Sequence, residues 1–233
     1  MRGVFVTGTD TGVGKTHVAV GMLRILAGAG LQVVGMKPVA SGSVQTTAGL
    51  RNADALALQA ASTAARPYEQ VNPYVFVPPS APHLAAEEAG VSIELSRILA
   101  AFHRLCSGAD AVVVEGVGGW QVPLADGFGV PDLAKALALP VILVVGLRLG
   151  CLNHALLSAR AIREDGLTLA GWVANGIDPG FERRSGNLAT LKRAMHAPLL
   201  GDISWQPGIA SEGLADRLDA AKIINLWNAC PAE

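Results

Sequence analysis

Two segments of this chain, Ala111–Glu115 (AVVVE) and Val141–Gly146 (VILVVG), are apolar without alternation. A strand with one wet face alternates apolar and polar side chains. An unbroken run belongs instead to a strand buried on both faces, as in a parallel sheet covered by helices. The remaining sequence suits that architecture. Gly3–Thr7, Leu31–Lys37, Leu169–Asn175 and Leu199–Ile203 read as further strands, and Tyr74–Val77 as a short one. Lys15–Ala29, Ala53–Ala61, Ile93–Cys106, Cys151–Glu164 and Phe181–Met195 read as helices, with a short C-terminal helix near Leu214–Trp227. Strands alternating with helices specify an α/β fold with right-handed crossovers: a mostly parallel sheet with helices on both faces. No repeat, low-complexity tract or linker interrupts the pattern, so residues 1–233 are expected to form a single domain. The short segment Val77–His83 (VPPSAPH) reads as a rigid active-site loop or substrate wall.

Composition narrows the function classes. Hydrophobic residues make up 51% and charged ones 16%, enough for a sizeable core and the wrong balance for disorder. Lys and Arg total 18 against 19 Asp and Glu, leaving no basic excess for nucleic acid and no basic run for an anionic membrane. The most apolar stretch, Ala136–Leu147, is interrupted by Pro140 and is too short for a bilayer crossing, which needs ~20 residues. Cys106, Cys151 and Cys230 show no CxxC spacing, which argues against a disulfide framework or a structural zinc site. The N-terminal MRGVFVTG turns strand-like and Gly-rich at once, without a secretory apolar region. A cytoplasmic protein with no nucleic-acid or membrane partner is expected.

The first strand runs into Gly8-Thr9-Asp10-Thr11-Gly12-Val13-Gly14-Lys15-Thr16 and then a helix. This is a P-loop in the context it requires. Its glycines let consecutive N–H groups curl inward, the helix adds its N-terminal partial positive charge, and Lys15 reaches the β- and γ-phosphates. The Thr16 hydroxyl stands where a phosphate-bound Mg²⁺ needs an oxygen. The loop is a variant: Thr9 occupies the place of the usual first glycine, which comes one residue earlier at Gly8. Binding of ATP or another nucleoside triphosphate is the expected outcome, with a Gly-rich turn that merely joins strand to helix as the plainer alternative.

Three more charged residues stand at strand or helix ends. Glu115 ends AVVVE before Gly116-Val117-Gly118-Gly119, the position of a Walker-B acid; a solvated strand-end charge is the plainer alternative. Asp54, in Arg51-Asn52-Ala53-Asp54, reads by spacing alone as a helix N-cap or first-turn acid. Lys37 ends the second strand as Gly35-Met36-Lys37-Pro38; a surface lysine is the plainer alternative, but the strand-end position, the turn fixed by Pro38 and the small residues beyond favour a lysine in the crevice beside Lys15. Two ammonium groups that close repel, so a strongly anionic group should lie between them.

With these residues in place, the blocks GTDTGVGKT, GMKPVASG with LRNADALAL, VNPYVF with SAPHLAA, VVVEGVGGW, LPVILVVGLRLGCLNHALL, LAGWVANG and APLLGDISW appear in an order that resembles the dethiobiotin synthase family. The resemblance runs from about Gly3 to Trp205. It implies ATP- and Mg²⁺-dependent ring closure of 7,8-diaminononanoate with CO₂, through a carbamate and a carbamic–phosphoric anhydride. It also implies roles. Lys37 and Lys15 are the catalytic cations, and Thr16, Asp54 and Glu115 the Mg²⁺ ligands. Thr11 and Ser41 bind the substrate. Gly12, Val13, Gly14, Lys15, Thr16, His17, Asp54, Glu115, Gly116, Val117 and Gly118 line the nucleotide. Asn175, Gly176, Ser204, Trp205 and Gln206 lie at the adenine side. Gly150, Cys151 and Asn153, at a helix start, bind the substrate tail from a neighbouring subunit, which implies a homodimer with shared sites. Some family members carry an acidic residue where this chain has Gly12. An ATPase switch of the partitioning or division-site type is the alternative, although this chain lacks the basic surface or membrane-seeking tail such proteins use. An amide- or lactam-forming synthetase would need an ammonia source for which the chain has no room.

The other candidates have plainer readings. His17, His83, His103, His154 and His196 lack metal-ligand spacing; His17 and His154 suit packing or dimer contacts. Trp120 covers a ligand or packs in the core, and Trp172 belongs to the core. The helix-start position of Cys151 favours a low thiol pKa, but small-residue packing explains it as well. Glu182-Arg183-Arg184 begins a helix as a solvated face.

Overall fold

The structure, a computed structural model, describes residues 2–205 and 217–229. In chain order its elements begin with β1 (Arg2–Gly8), α1 (Lys15–Gly28), β2 (Val33–Met36), β3 (Val39–Ala40), β4 (Val44–Thr46) and β5 (Gly49–Arg51). Next come α2 (Ala53–Ala61), α3 (Tyr68–Val71), β6 (Tyr74–Val75), α4 (Pro82–Glu88), α5 (Leu95–Cys106), β7 (Ala111–Glu115), β8 (Pro123–Ala125) and β9 (Phe128–Gly129). The remainder is α6 (Val130–Leu137), β10 (Val141–Leu147), α7 (Cys151–Glu164), β11 (Leu169–Gly176), α8 (Arg184–Ala194), β12 (Leu199–Ile203) and α9 (Ala220–Ala229).

Six strands build the central sheet in the order β12-β11-β10-β1-β7-β2, and every neighbouring pair is parallel. The unbroken apolar runs are explained by burial on two faces. In β1, Val4 and Val6 pack with Val18, Met22 and Leu23 of α1 and with Ile223 and Trp227 of α9. Phe5 between them faces the opposite cluster, with Ile98 and Leu105 of α5, Leu133 of α6 and Ala155 of α7. Each such fully buried aliphatic side chain stabilises the fold by about 1.5–3 kcal/mol relative to exposure, so both faces of β1 are held by burial.

The winding reverses at β1. The chain first runs to the β2 edge, returns through β7, and then crosses β1 to β10 and outward to β12. A parallel sheet wound this way opens a crevice beyond the carboxyl ends of its central strands. Gly8, Glu115, Leu147 and Gly176 end the strands that border it.

Several boundaries differ from the sequence-based expectation. β2 is Val33–Met36, because the Lys37 N–H leaves the sheet to donate to the Val71 carbonyl at 2.8 Å. Tyr74–Val77 contracts to β6, which pairs with β3 outside the main sheet; Pro78 and Pro79, with no N–H, cannot extend it. A helix, α4, begins inside the expected loop, with Pro82 at its first position, where a missing N–H does no harm. The apolar stretch Ala136–Leu147 divides into the end of α6, a left-handed turn at Ala138 (φ 53°), and β10. α6 itself went unread; the Asp132 carboxylate caps it by accepting the Gly129 N–H at 2.8 Å. α8 starts at Arg184 rather than Phe181, since Asp178 first gathers the Gly180 and Phe181 N–H groups in a turn. The C-terminal helix is Ala220–Ala229, and Leu214 lies outside the described residues.

Trp172 is fully buried, as expected. Trp120 is also core: it stands edge-on to Phe5 at 6.4 Å, and its indole N–H donates to Asp165 at 2.8 Å. Glu182 and Arg183 are exposed ahead of α8, whereas Arg184 pairs with Asp202. No described helix is long and apolar enough to cross a membrane.

Candidate active site

The loop after β1 is pinned before any ligand arrives. The Thr9 N–H donates to the Val144 carbonyl at 2.9 Å, and the Thr9 hydroxyl accepts the Gly146 N–H at 3.2 Å. The Asp10 carboxylate accepts the Thr11 N–H at 2.7 Å and pairs with Arg148. Gly14 adopts φ +90°, and a Cβ there would lie 2.4 Å from the Asn175 Nδ2. That amide donates to the Val13 carbonyl at 2.8 Å and so locks β11 against the loop. Gly14→Ala therefore meets both a left-handed backbone, disfavoured by about 1–2 kcal/mol, and a clash. The expected result is a lower thermal midpoint together with weakened ATP binding, read by calorimetry of the variant.

Lys15 and Lys37 converge beyond this loop. Lys15 is buried, and its Nζ donates to the Asp10 carbonyl at 3.0 Å. Burial and the neighbouring Lys37 lower its pKa to about 8, against the pull of Glu115, Asp54 and Asp10. Lys37, only 4% exposed, places Nζ 2.9 Å from Asp54 Oδ2 and 2.5 Å from Glu115 Oε1. Burial works against its charge, but Glu115 and Asp54 outweigh burial and hold its pKa above the ordinary lysine value. The Thr16 hydroxyl donates to the same Glu115 Oε1 at 2.9 Å. Burial resists ionisation of Asp54, yet Lys37, Thr16 and Lys15 together keep its carboxyl below the ordinary range. Glu115 is fully buried at the end of β7, and its Oε2 has no hydrogen-bond partner. It is thus no solvated strand-end charge.

These groups line a crevice of about 1030 Å³ at the carboxyl ends of the strands. Its wall includes Thr11, Gly12, Gly14, Lys15, Thr16, His17, Lys37, Ser41, Asp54, Glu115, Val117, Gly118, Asn175, Gly176 and Trp205, all singled out in the sequence. Val13 is buried beneath the loop, and Gly116 rests against the Phe5 ring. Ser204 is exposed beside Gly176, off the crevice wall; Gln206 lies outside the described residues. Gly150, Cys151 and Asn153 do not line this crevice. The Cys151 thiol is buried with its sulfur 4.0 Å from Asn187 Oδ1, and burial raises its pKa, the opposite of a helix-start activation.

A family model described as "AAA domain" matches residues 2–213. Among relatives, an "ATP-dependent dethiobiotin synthetase BioD" of Pseudomonas aeruginosa is 53% identical over 220 residues, covering 94% of this chain and 96% of the relative. A protein of the same description from Xylella fastidiosa is 52% identical, covering 92% of this chain and 95% of its own length. The chain belongs to the ATP-dependent dethiobiotin synthetase family. The dethiobiotin synthetase sequence is here carried on a fold shared more widely. The MinC:MinD cell division protein complex of Aquifex aeolicus aligns with a TM-score of 0.59 at 12% identity, covering 100% of this chain and 99% of that one. A ParA family ATPase from Chlorobium tepidum aligns at 0.55 and 15%, covering 96% and 93%. At such identities the likeness concerns architecture alone.

Pro79, Ser80, Ala81 and Pro82 of the expected Val77–His83 wall line the crevice as well. Ala53, Ala57, Val122 and Ile177 also line it and carry no such signal in the sequence. The N-cap of α2 is Asn52, whose Oδ1 accepts the Asp54 and Ala55 N–H groups at 3.0 and 3.3 Å. Asp54 is thereby released to the first turn, its side chain free to face Lys37. The Asn-x-Asp spacing carried that signal, since Asn outranks most residues as a cap.

Proposed function

We propose that this enzyme catalyses ATP- and Mg²⁺-dependent carboxylation and ring closure of 7,8-diaminononanoate with CO₂, yielding dethiobiotin, ADP and phosphate in biotin biosynthesis. Lys37 carries the reading: a buried ammonium on the crevice wall, held by Asp54 and Glu115 and next to a P-loop lysine. Family membership supplies the substrate class. The crevice is large enough for a nucleotide and a small second substrate side by side.

One substrate amine adds to CO₂ and loses a proton, giving a carbamate. A carbamate oxygen attacks the γ-phosphorus of ATP, the bond to the bridging oxygen breaks, and ADP leaves. The second amine attacks the carbonyl of the resulting mixed anhydride. The C–O bond to the phosphoryl group breaks, phosphate departs with the electron pair, and the amine gives up its proton as the ring closes. No covalent bond to the protein is needed, so the protein acts by positioning and charge stabilisation.

Lys15 and the loop amides from Gly12 to Thr16 hold the phosphates, and Lys37 neutralises charge on the carbamate and the transferring phosphoryl. Thr11 and Ser41 bind the carbamate or amine end. His17 and Glu115 to Gly118 follow the nucleotide, and Asn175, Gly176, Ser204, Trp205 and Gln206 serve the base. Thr16, Asp54 and Glu115 would hold Mg²⁺. A hydroxyl and two carboxylates suit a hard cation, and the unpartnered buried Oε2 of Glu115 is a spare acceptor for one. Among the described residues no three His, Cys, Asp or Glu side chains converge, which fits an ion bound largely through phosphate. When bound, it neutralises phosphate oxygens. Two copies of the chain share their sites in this reading, with Gly150, Cys151 and Asn153 of one serving the substrate tail of the other. Leu149 (87% exposed) and Leu157 (57% exposed) flank that segment as apolar surface in need of cover. A Leu157→Glu variant should sediment as a monomer and lose diamine affinity.

The test is product formation. With ATP, Mg²⁺, bicarbonate and diamine, dethiobiotin should appear in step with ADP and phosphate, read by mass spectrometry and coupled ADP assay. ATP turnover indifferent to the diamine, or dependent on DNA or lipid, overturns the proposal.

A further inference from the structure

The Lys37–Asp54 pair is closed into a ring by hydrogen bonds running through its rear wall. The Lys37 N–H donates to the Val71 carbonyl at 2.8 Å, and its carbonyl accepts from Asn72 Nδ2 at 2.7 Å. Both backbone groups of the lysine are thus held by the end of α3. The second Asn72 amide proton goes to the Tyr74 carbonyl at 2.9 Å. Asn72 Oδ1 accepts the Tyr68 hydroxyl at 3.0 Å. That hydroxyl in turn accepts the backbone N–H of Asn52 at 2.8 Å. Asn52 caps α2 and so sets Asp54, while its Nδ2 donates to the Ser41 carbonyl at 3.2 Å. Asp54 then meets Lys37 Nζ at 2.9 Å, and the ring is complete.

We infer that Tyr68 is a positioning residue whose hydroxyl, bridging Asn72 and Asn52, fixes Lys37, Asp54 and Ser41 relative to one another. The inference rests on the proposed reaction for its consequence in catalysis, but the bridge itself is independent of it. Asn72 is 2% exposed and has all three side-chain bonds made, so the relay is rigid at that end. The Arg51 guanidinium lies 4.2 Å from the centre of the Tyr68 ring and holds its plane. Desolvation raises the Tyr68 pKa, which keeps the donated proton in place at neutral pH. The hydroxyl is the only atom of Tyr68 that a phenylalanine lacks, so ring packing and the Arg51 contact survive its removal. A misplacement of about 1 Å at a reacting centre lowers rates as much as 10²-fold, so a loosened ring is visible in kcat.

Tyr68→Phe supplies the test, with two readouts. The first is steady-state dethiobiotin formation: kcat should fall about 10- to 100-fold with a smaller rise in the KM for ATP, because the P-loop lies outside the ring and Asp54 alone ties the ring to the nucleotide. The second is the ¹⁵Nζ resonance of Lys37 in the ligand-free protein. It should be a protected ammonium signal in the parent and should broaden or exchange rapidly in the variant. The double variant Tyr68→Phe/Asn72→Ala should be no slower than Asn72→Ala alone, since both cuts open one ring. An unchanged Lys37 resonance overturns the inference, as does a fall in thermal midpoint with kcat preserved. A changed resonance in a protein that makes no dethiobiotin upholds the bridge and removes the proposed reaction instead.

Discussion

Lys37→Ala is expected to lower dethiobiotin formation by about 10³-fold or more while ATP still binds within a few-fold of the parent. Removing one preorganised charge donor from a water-excluded site costs about 10²–10³ in turnover, and in the proposed reaction Lys37 faces two successive anions, the carbamate and the transferring phosphoryl. ATP binding survives because Lys15 and the loop amides, not Lys37, embrace the polyphosphate. Isothermal titration with a non-hydrolysable ATP analogue, beside the product assay, separates the two effects. Full activity in Lys37→Ala would refute the assignment. The same substitution has a stability consequence. Glu115 is fully buried and loses the cation it pairs with, a change of the kind that costs about 3–5 kcal/mol. Burial and the neighbouring Asp54 charge, now opposed by the Thr16 hydroxyl without Lys37, raise the Glu115 pKa further above its unfolded value. A carboxyl with a raised folded pKa contributes stability below its unfolded pKa and loses it as pH rises through the folded one. The deficit of Lys37→Ala in urea unfolding should therefore grow as pH rises above the ordinary carboxylate range; a deficit independent of pH contradicts this account.

What the sequence discloses about this site follows the distance over which each signal acts. The P-loop is legible because strand, glycines, lysine and helix are contiguous. Glu115 is legible because AVVVE announces a buried strand and the glycines after it announce its end. Asp54 is ambiguous on local grounds, since a first-turn acid and a metal ligand share one spacing. The approach of Asp54 to within 2.9 Å of Lys37 arises only from tertiary folding. Tyr68 and Asn72 are illegible for the same reason: their partners stand at Asn52 and Lys37, brought together by tertiary folding. The missed α6 and the late start of α8 have a different cause. Short helices capped by a turn or by a glycine with a downstream carboxylate carry little periodicity, and the cap alone decides them. The strands, by contrast, are legible from their apolar runs: Ala111–Glu115, buried throughout, and the edge strand Leu199–Ile203 match residue for residue.

Lys15→Met is expected to stabilise the ligand-free protein and to weaken ATP binding about 10- to 100-fold, the range lost with a hydrogen bond to a charged group. The folded pKa of Lys15 is about 8, against 10.5 for the ordinary side chain. At pH 7 that difference corresponds to a burden of about 3 kcal/mol on the folded state. The sign follows from proton counting: between about pH 8 and 10.5 the unfolded chain holds the proton more often than the folded one, so this group makes stability rise with pH across that window. Below it, both states are charged and the burden is complete. Methionine keeps the apolar stem in place and forfeits the bond to the Asp10 carbonyl, worth about 1 kcal/mol, leaving a net gain of about 1–2 kcal/mol at pH 7 that disappears by pH 10.5. Addition of ATP should reverse the ranking, because a ligand that binds only the folded state stabilises by RT times the logarithm of one plus the ratio of free ligand to Kd, and the parent binds more tightly. Urea unfolding at pH 7 and pH 10, with and without nucleotide, reads all four quantities. A ligand-free variant less stable than the parent at pH 7 would mean that Lys15 is not held in the buried, mutually repelling state that its place beside Lys37 imposes.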